Sequence, residues 1–248
     1  MSKVIKEYRG NIALLRMNNG VTNAIGTELV NDLCAALQEI RKDAAGMVLA
    51  GGEKFFSMGL NLPELLEMNQ KEMTDFWYRF DQLVMDLFTV PLPSVCAIRG
   101  HAVAGGCVFA VTSDYRFGTS DKKQIGLNEI RLGVPVPWSV DMILRQLVGD
   151  RVATEMMYTG NFMTLSDAKT VGLVDEICSP ESVEERAAEK AALPAASNRA
   201  AFCAMKANRV EEIRMKYEKN SKAKNEIFLH CWFDPSVQEV LKEASRKF

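Results

Sequence analysis

Histidine is almost missing from this chain: His101 and His230 are the only two among 248 residues. Two imidazoles cannot build a His-rich metal site, which argues against a zinc enzyme. The six cysteines, Cys34, Cys96, Cys107, Cys178, Cys203 and Cys231, lie far apart with no C-x-x-C spacing. Most sit among apolar neighbours, so they read as reduced core thiols of a cytoplasmic protein and not as a disulfide framework. Neither sign of charge is in excess. A formal net charge of −2 and a pI near 5.9 leave no electrostatic reason to expect a nucleic-acid partner, although a local basic groove for an anionic small molecule is compatible with both. No apolar run approaches the ~20 residues of a membrane span. The opening Met1-Ser2-Lys3-Val4-Ile5-Lys6-Glu7-Tyr8 has neither an apolar signal core nor an Arg-rich amphipathic character, so no leader or membrane association is expected.

What remains is an ordinary globular composition, 48% apolar and 25% charged. At roughly 150 residues per domain, the length fits one large domain, or one domain with an appendage, and it can bury a core without metal or disulfide staples. Over residues 1–118 short strand-like runs alternate with helical patterns. Ile12–Met17 reads as a strand. Thr27 is expected to cap a helix with Leu29, Leu33, Leu37 and Ile40 at helical spacing. Met47–Ala50 and Ser94–Ile98 read as buried strands, with an amphipathic helix over about Thr74–Phe88 between them. Cys107–Val111 fits helix or strand by pattern, and a helix is preferred because Asp114–Phe117 looks like the next strand. This alternation predicts an α/β class with buried strands. Further on, residues 139–172 read as helical, Leu165–Val171 as a helix closed by Gly172, and Val174–Ile177 as a short strand. From Ser182 the chain is rich in Ala, Glu, Lys and Arg with no strand pattern. The expected division is therefore a core over 1–180 and a helical region over 181–248.

Three segments carry possible chemistry. In Lys54–Glu64 a turn at Gly59 leads to Asn61, with Glu64 three residues later and Pro63 in the first turn. Asn61 and Glu64 fit a capping box, and the free N–H groups around Leu60 would favour negative charge at the helix start. In Arg99–Val108 a strand leads through Gly105-Gly106 into a helix. Gly105 permits close backbone approach and offers a second donor, whereas Gly106 reads as a packing position where an alanine should be mild. Two converging donors would make an oxyanion hole. In Gln124–Pro135, Glu129 stands among apolar residues, which would raise its pKa and suit it to proton transfer. The alternative for Glu129 is a surface carboxylate paired with Arg131.

Together these segments resemble the crotonase superfamily of enoyl-CoA hydratases and isomerases. The likeness rests on seven phrases in the family's order: Phe56–Leu62, Ala104–Cys107, Asp114–Arg116, Ile125–Glu129, Thr159-Gly160, Leu165–Lys169 and Gly172–Asp175. It runs from Ile12 to the end of the chain. The resemblance implies a spiral of β-β-α units in two stacked sheets and a C-terminal helical trimerisation region, as a homotrimer or a dimer of trimers. It implies an acyl-CoA substrate and no separate cofactor, since coenzyme A is part of the substrate. Leu60 and Gly105 match the family's oxyanion donors, and Glu129 its base. Met58, Gly59, Asn61 and Leu62 match the stretch bordering CoA, and Asn128 stands beside the base as a substrate-facing position. Phe233 and Lys247 resemble residues that close the CoA site.

One departure bears on the reaction. Enoyl-CoA hydratases carry a second glutamate where this chain has Val108. Valine has no acceptor to hold the attacking water, whereas moving a double bond needs one base and an enolate. The Ile125–Glu129 phrase is also most similar to the Δ3,Δ2-enoyl-CoA isomerases, so isomerisation is the expected reaction. Other crotonase chemistry (hydration, thioester hydrolysis, decarboxylation) and a non-catalytic CoA-binding role are the alternatives, since one fold hosts many reactions. Asn61 replaces the aspartate of many relatives, and Met58 the usual alanine.

Overall fold

After an opening hairpin the strands of this chain come in pairs, and each pair divides itself between two sheets. The computed structural model describes residues 2–119 and 122–246. A hairpin of β1 (Val4–Arg9) and β2 (Ile12–Met17) leads through α1 (Thr27–Asp43) into the first unit. That unit is β3 (Gly46–Ala50), β4 (Phe55–Ser57), α2 (Leu62–Leu66) and α3 (Gln70–Phe88). The second is β5 (Ser94–Ile98), β6 (His101–Val103) and α4 (Gly105–Val111). The third is β7 (Tyr115–Thr119), β8 (Gln124–Gly126), a 3-10 turn at Glu129–Leu132 and α5 (Trp138–Thr159). β9 (Met163–Thr164), α6 (Leu165–Thr170) and β10 (Glu176–Cys178) follow, then α7 (Val183–Ala195), α8 (Arg199–Trp232) and α9 (Pro235–Ser245). The first strands of the units join one sheet in the order β1-β2-β3-β5-β7-β10, the second strands another in the order β4-β6-β8-β9. This is the expected spiral of β-β-α units.

The inner strands of the large sheet are parallel and buried on both faces, which is why they read as continuous apolar runs. Their side chains alternate at period two. Leu15, Met47, Leu49, Cys96 and Ile98 join the main core beneath α1, α3 and α5. Leu14, Val48, Val95, Ala97 and Phe117 face the other way and are covered by Val183, Ala187 and Ala191 of α7. Small alanines let α7 lie close on the sheet, and Arg16 of β2 pairs with the buried Glu184 at its first turn.

Several local expectations change. Thr27 is the first helical residue of α1, and the N-cap is Gly26, which has no side chain to offer. The cap comes from elsewhere: Thr27 N–H donates to Glu64 Oε1 at 2.8 Å. The expected Asn61–Glu64 capping box is therefore absent. Asn61 makes no cap bond, and its Nδ2 instead donates to Glu64 Oε2 at 2.8 Å. A capping box does form at α3, between Asn69 and Glu72, so that helix starts four residues before its hydrophobic pattern. The strand expected at Val174–Ile177 starts at Glu176, because Leu173 and Val174 N–H bond back to Ala168 O and close α6 instead.

Candidate active site

The loop before α2 shows how one N–H is left free. Ile25 N–H donates to Gly59 O at 2.8 Å and Asn61 N–H donates to Ile25 O at 2.9 Å, a one-residue parallel bridge. In an extended segment alternate residues bond to alternate sides. With residues 59 and 61 committed to Ile25, the Leu60 N–H lies on the other side and meets no acceptor among the described residues. Gly59 has φ +102°, and a Cβ there would lie 2.9 Å from Ala104 Cβ and 3.1 Å from Gly105 N. Only glycine satisfies both conditions. The loop around Met58 is thus pressed against the start of α4.

That start is strained. Ala104 has φ 48° and ψ −123°, a conformation that L side chains rarely adopt and that costs about 1–3 kcal/mol. It is held from both sides: Ala104 N–H donates to Gly126 O, and Ala104 O accepts Val108 N–H. The turn leaves Gly105 N–H at the helix N-terminus without an acceptor among the described residues, close enough that a Cβ at Gly105 would come within 3.4 Å of Leu60 N. Two unpartnered donors therefore meet at one edge of a cavity. Gly106 behaves contrary to expectation. Its Cβ would overlap the Ser57 backbone, so the glycine read as merely packing is the less tolerant of the two.

Glu129 begins the 3-10 turn after β8 and is 7% exposed. Its carboxylate accepts its own N–H and that of Asn128, yet burial dominates and pushes its pKa up to about 7. Oε2 is buried without a hydrogen-bond partner among the described residues, and so is Asn128 Oδ1. The alternative pairing with Arg131 is not formed, since that guanidinium bonds Thr159 O and Asn161 Oδ1. Val108 stands on α4 one turn from Gly105, so both face the same way, and it is 1% exposed.

These groups share one cavity of about 440 Å³, lined by Met58, Leu60, Leu62, Gly105, Asn128 and Glu129 among the expected site residues. Its outer end carries Phe55, His101, Gln124 and Phe162, all at least partly exposed. His101 Nδ1 accepts Gln124 N–H at 3.1 Å there. Its inner end is closed by buried Trp77, Phe80, Phe228, Trp232 and Leu241. Of the remaining expected residues, Gly59 shapes the loop from behind and Asn61 turns to Glu64. Phe233 packs on the core beside the cavity without lining it, and Lys247 lies outside the described residues. The aromatic end was not expected. Its residues come from α3 and α8, far apart in sequence, and only the repeated Trp and Phe on those helices hint at it. Among the described residues no cluster of His, Cys, Asp or Glu is arranged to hold a metal ion, and no helix is long and apolar enough to cross a membrane.

Residues 7–246 match the family described as "Enoyl-CoA hydratase/isomerase". The chain is similar to the mitochondrial enoyl-CoA delta isomerase 1 of Rattus norvegicus, 30% identical over 74% of this chain and 65% of that protein. It is equally similar to a probable enoyl-CoA hydratase of Mycobacterium tuberculosis, 32% identical over 71% of this chain and 68% of that one. Among solved structures, the human mitochondrial delta3-delta2-enoyl-CoA isomerase superposes with a TM-score of 0.94 at 26% identity, covering 99% of this chain and 97% of that chain. The donor loops, the buried carboxylate and the two-sheet spiral thus stand in a chain whose sequence matches one family almost from end to end, and this chain belongs to the enoyl-CoA hydratase/isomerase family, the crotonase superfamily.

Proposed function

We propose that this chain moves a double bond between the 3- and 2-positions of an enoyl-CoA, with Glu129 as its only base. The observation carrying this reading is that Glu129 is the single carboxylate lining the cavity among the described residues, while Val108 supplies only methyl groups. In the proposed reaction the thioester oxygen accepts the Leu60 and Gly105 N–H groups. Glu129 takes a proton from C2 of the 3-enoyl thioester, the freed C–H electron pair forms a C1–C2 double bond, and the carbonyl pair moves onto the thioester oxygen, giving a dienolate conjugated with the C3–C4 double bond. Glu129 then returns the proton to C4, leaving the double bond at C2–C3. Preorganised donors of this kind each contribute about 10²–10³-fold. A carboxylate with a pKa near the working pH suits both halves of the transfer. Coenzyme A enters only as part of the substrate.

Hydration is the second reading, supported by the mycobacterial relative's name. It requires a second group to position water, and Val108 cannot accept a hydrogen bond. Product analysis on cis-3-, trans-3- and trans-2-enoyl-CoA separates the two. Isomerisation should outrun hydration of the 2-enoyl product at saturating substrate, and hydration at a comparable rate would overturn the proposal.

A further inference from the structure

Behind the closed end of the cavity lies a second one of about 490 Å³. The two share Trp77, Val134, Pro137 and Phe228 in their walls, so these side chains form a partition. Its centre is an aromatic stack: the rings of Trp77 and Phe228 lie 1° from parallel with centroids 3.3 Å apart. The outer cavity opens between the exposed Ile130, Tyr158 and Ile227. An aliphatic chain that passed the stack would have room beyond it.

The stack is anchored from behind. Trp77 Nε1 donates to Asn225 Oδ1 at 3.0 Å, and Asn225 Nδ2 donates to Asp81 Oδ2 at 2.8 Å. Asp81 Oδ1 accepts Ser139 Oγ at 2.7 Å, and the Tyr217 hydroxyl also donates to this carboxylate. Helical spacing makes the arrangement economical. Asp81 is one turn beyond Trp77 on α3, and Phe228 is one turn beyond Asn225 on α8. The same two helices carry both the stacked rings and the polar link between them. An ionised carboxylate only accepts, so Asp81 obliges Asn225 to present its NH₂ to the carboxylate and its carbonyl to the indole N–H. The indole is then fixed in its ring plane.

We propose that the Trp77–Phe228 stack is a fixed end wall restricting this site to short and medium straight acyl chains, with Asp81 and Asn225 as its positioning residues. The proposal rests on the reading of the cavity as an acyl-thioester site. About 440 Å³ lies toward the small end of ligand cavities, and part of it is occupied by the reacting end of the thioester. The wall stands between that volume and the space a longer tail would need.

Calorimetric binding of saturated six-, ten- and sixteen-carbon acyl-CoAs to the full chain tests this without requiring turnover. The unaltered protein should bind the ten-carbon thioester more tightly than the sixteen-carbon one. Phe228→Ala should join the two cavities and raise sixteen-carbon over six-carbon affinity ~10-fold, the effect of burying one or two further methylenes. Asn225→Leu, which touches neither ring face, should move the ratio the same way by a smaller factor. Asp81→Asn should keep the original ratio, because an amide can still accept from Asn225 and donate to Ser139. If Asn225→Leu does not fold, Trp77→Phe carries the same test, keeping a stacked ring without the N–H. Equal binding of ten- and sixteen-carbon thioesters by the unaltered protein, an unmoved ratio in Phe228→Ala, or no acyl-CoA binding at all overturns the wall. An unmoved ratio in Asn225→Leu, or in Trp77→Phe where it stands in for that variant, overturns the positioning role. The expected length preference without any isomerisation supports the wall and removes the proposed reaction instead.

Discussion

Glu129 and Asp81 are both carboxylates buried in a largely apolar interior, 7% and 2% exposed respectively, and burial is the leading influence raising the pKa of each. They differ in what surrounds the oxygens. Asp81 collects donors from Ser139, Asn225 and Tyr217, each from a different part of α5 or α8. Glu129 has only backbone N–H groups at its own turn, and its Oε2 is buried without a partner among the described residues, on a residue that lines the cavity. A carboxylate whose lone pairs are all engaged holds helices together. One that lines an apolar cavity and keeps an oxygen unpartnered retains the capacity to take a proton from something placed there. Burial alone distinguishes neither.

The contrast can be broken most severely at Glu129. Glu129→Gln keeps the shape and removes the base, so isomerisation should fall ~100-fold or more, the low end of general-base effects. Steady-state rates on 3-enoyl-CoA measure this, and a folded variant with most of its activity would end the assignment. Next in size is stability. Because the folded pKa of Glu129 is near 7 and above its ordinary value of 4.5, the folded state holds a proton that the unfolded state releases between those values. Stability should therefore fall as pH rises through that window, by about 3 kcal/mol at 1.36 kcal/mol per unit. Urea unfolding at pH 4.5 and pH 8 should show this extra fall in the unaltered protein and not in Glu129→Gln. Asp81→Leu should cost about 3 kcal/mol by stranding three buried donors at about 1 kcal/mol each, the low end for such groups, with six-carbon turnover largely kept. A larger loss of activity than of stability would make Asp81 resemble Glu129 after all. Smaller again is the pH–rate profile: kcat/KM should climb about tenfold per unit below pH 7 and level off above it, since only ionised Glu129 accepts a proton. That limb should stay in place in Asp81→Asn, whose stability should lie within about 1 kcal/mol of the unaltered protein because its pattern of donors and acceptors can be reproduced.

The inner strands, most of the helices and the three chemical segments were legible in the sequence because each depends on neighbours close in the chain. Leu14 and Leu15 point to opposite faces at period two, Leu29, Leu33 and Leu37 recur at helical spacing, and glycines mark the turns that need them. β4, β6, β8 and β9 are only two or three residues long and offer no periodicity to read. The family phrases pointed to Leu60, Gly105 and Glu129, and the fold brings these three to one cavity.

Other features needed contacts that no local pattern records. Glu64 looked like the partner of its own helix start and proved to cap α1, because the bridge between Ile25 and Leu60 carries the two helix termini together. Gly106 looked permissive, yet the Ser57 backbone crosses it. Phe233 was expected at the site, and Trp232, its neighbour in sequence, lines the cavity instead: on a helix adjacent residues point about 100° apart, so the packing of α8 decides which one faces inward. By itself the sequence determined the order of elements and the glycine-marked loops, set by short-range periodicity and backbone freedom, while Leu60, Gly105 and Glu129 were singled out through the family resemblance. Only the tertiary structure decided that Asp81, Asn225, Trp77 and Phe228 would close the far end of the cavity, because α3 and α8 are joined by packing across most of the chain and by nothing in their local sequence.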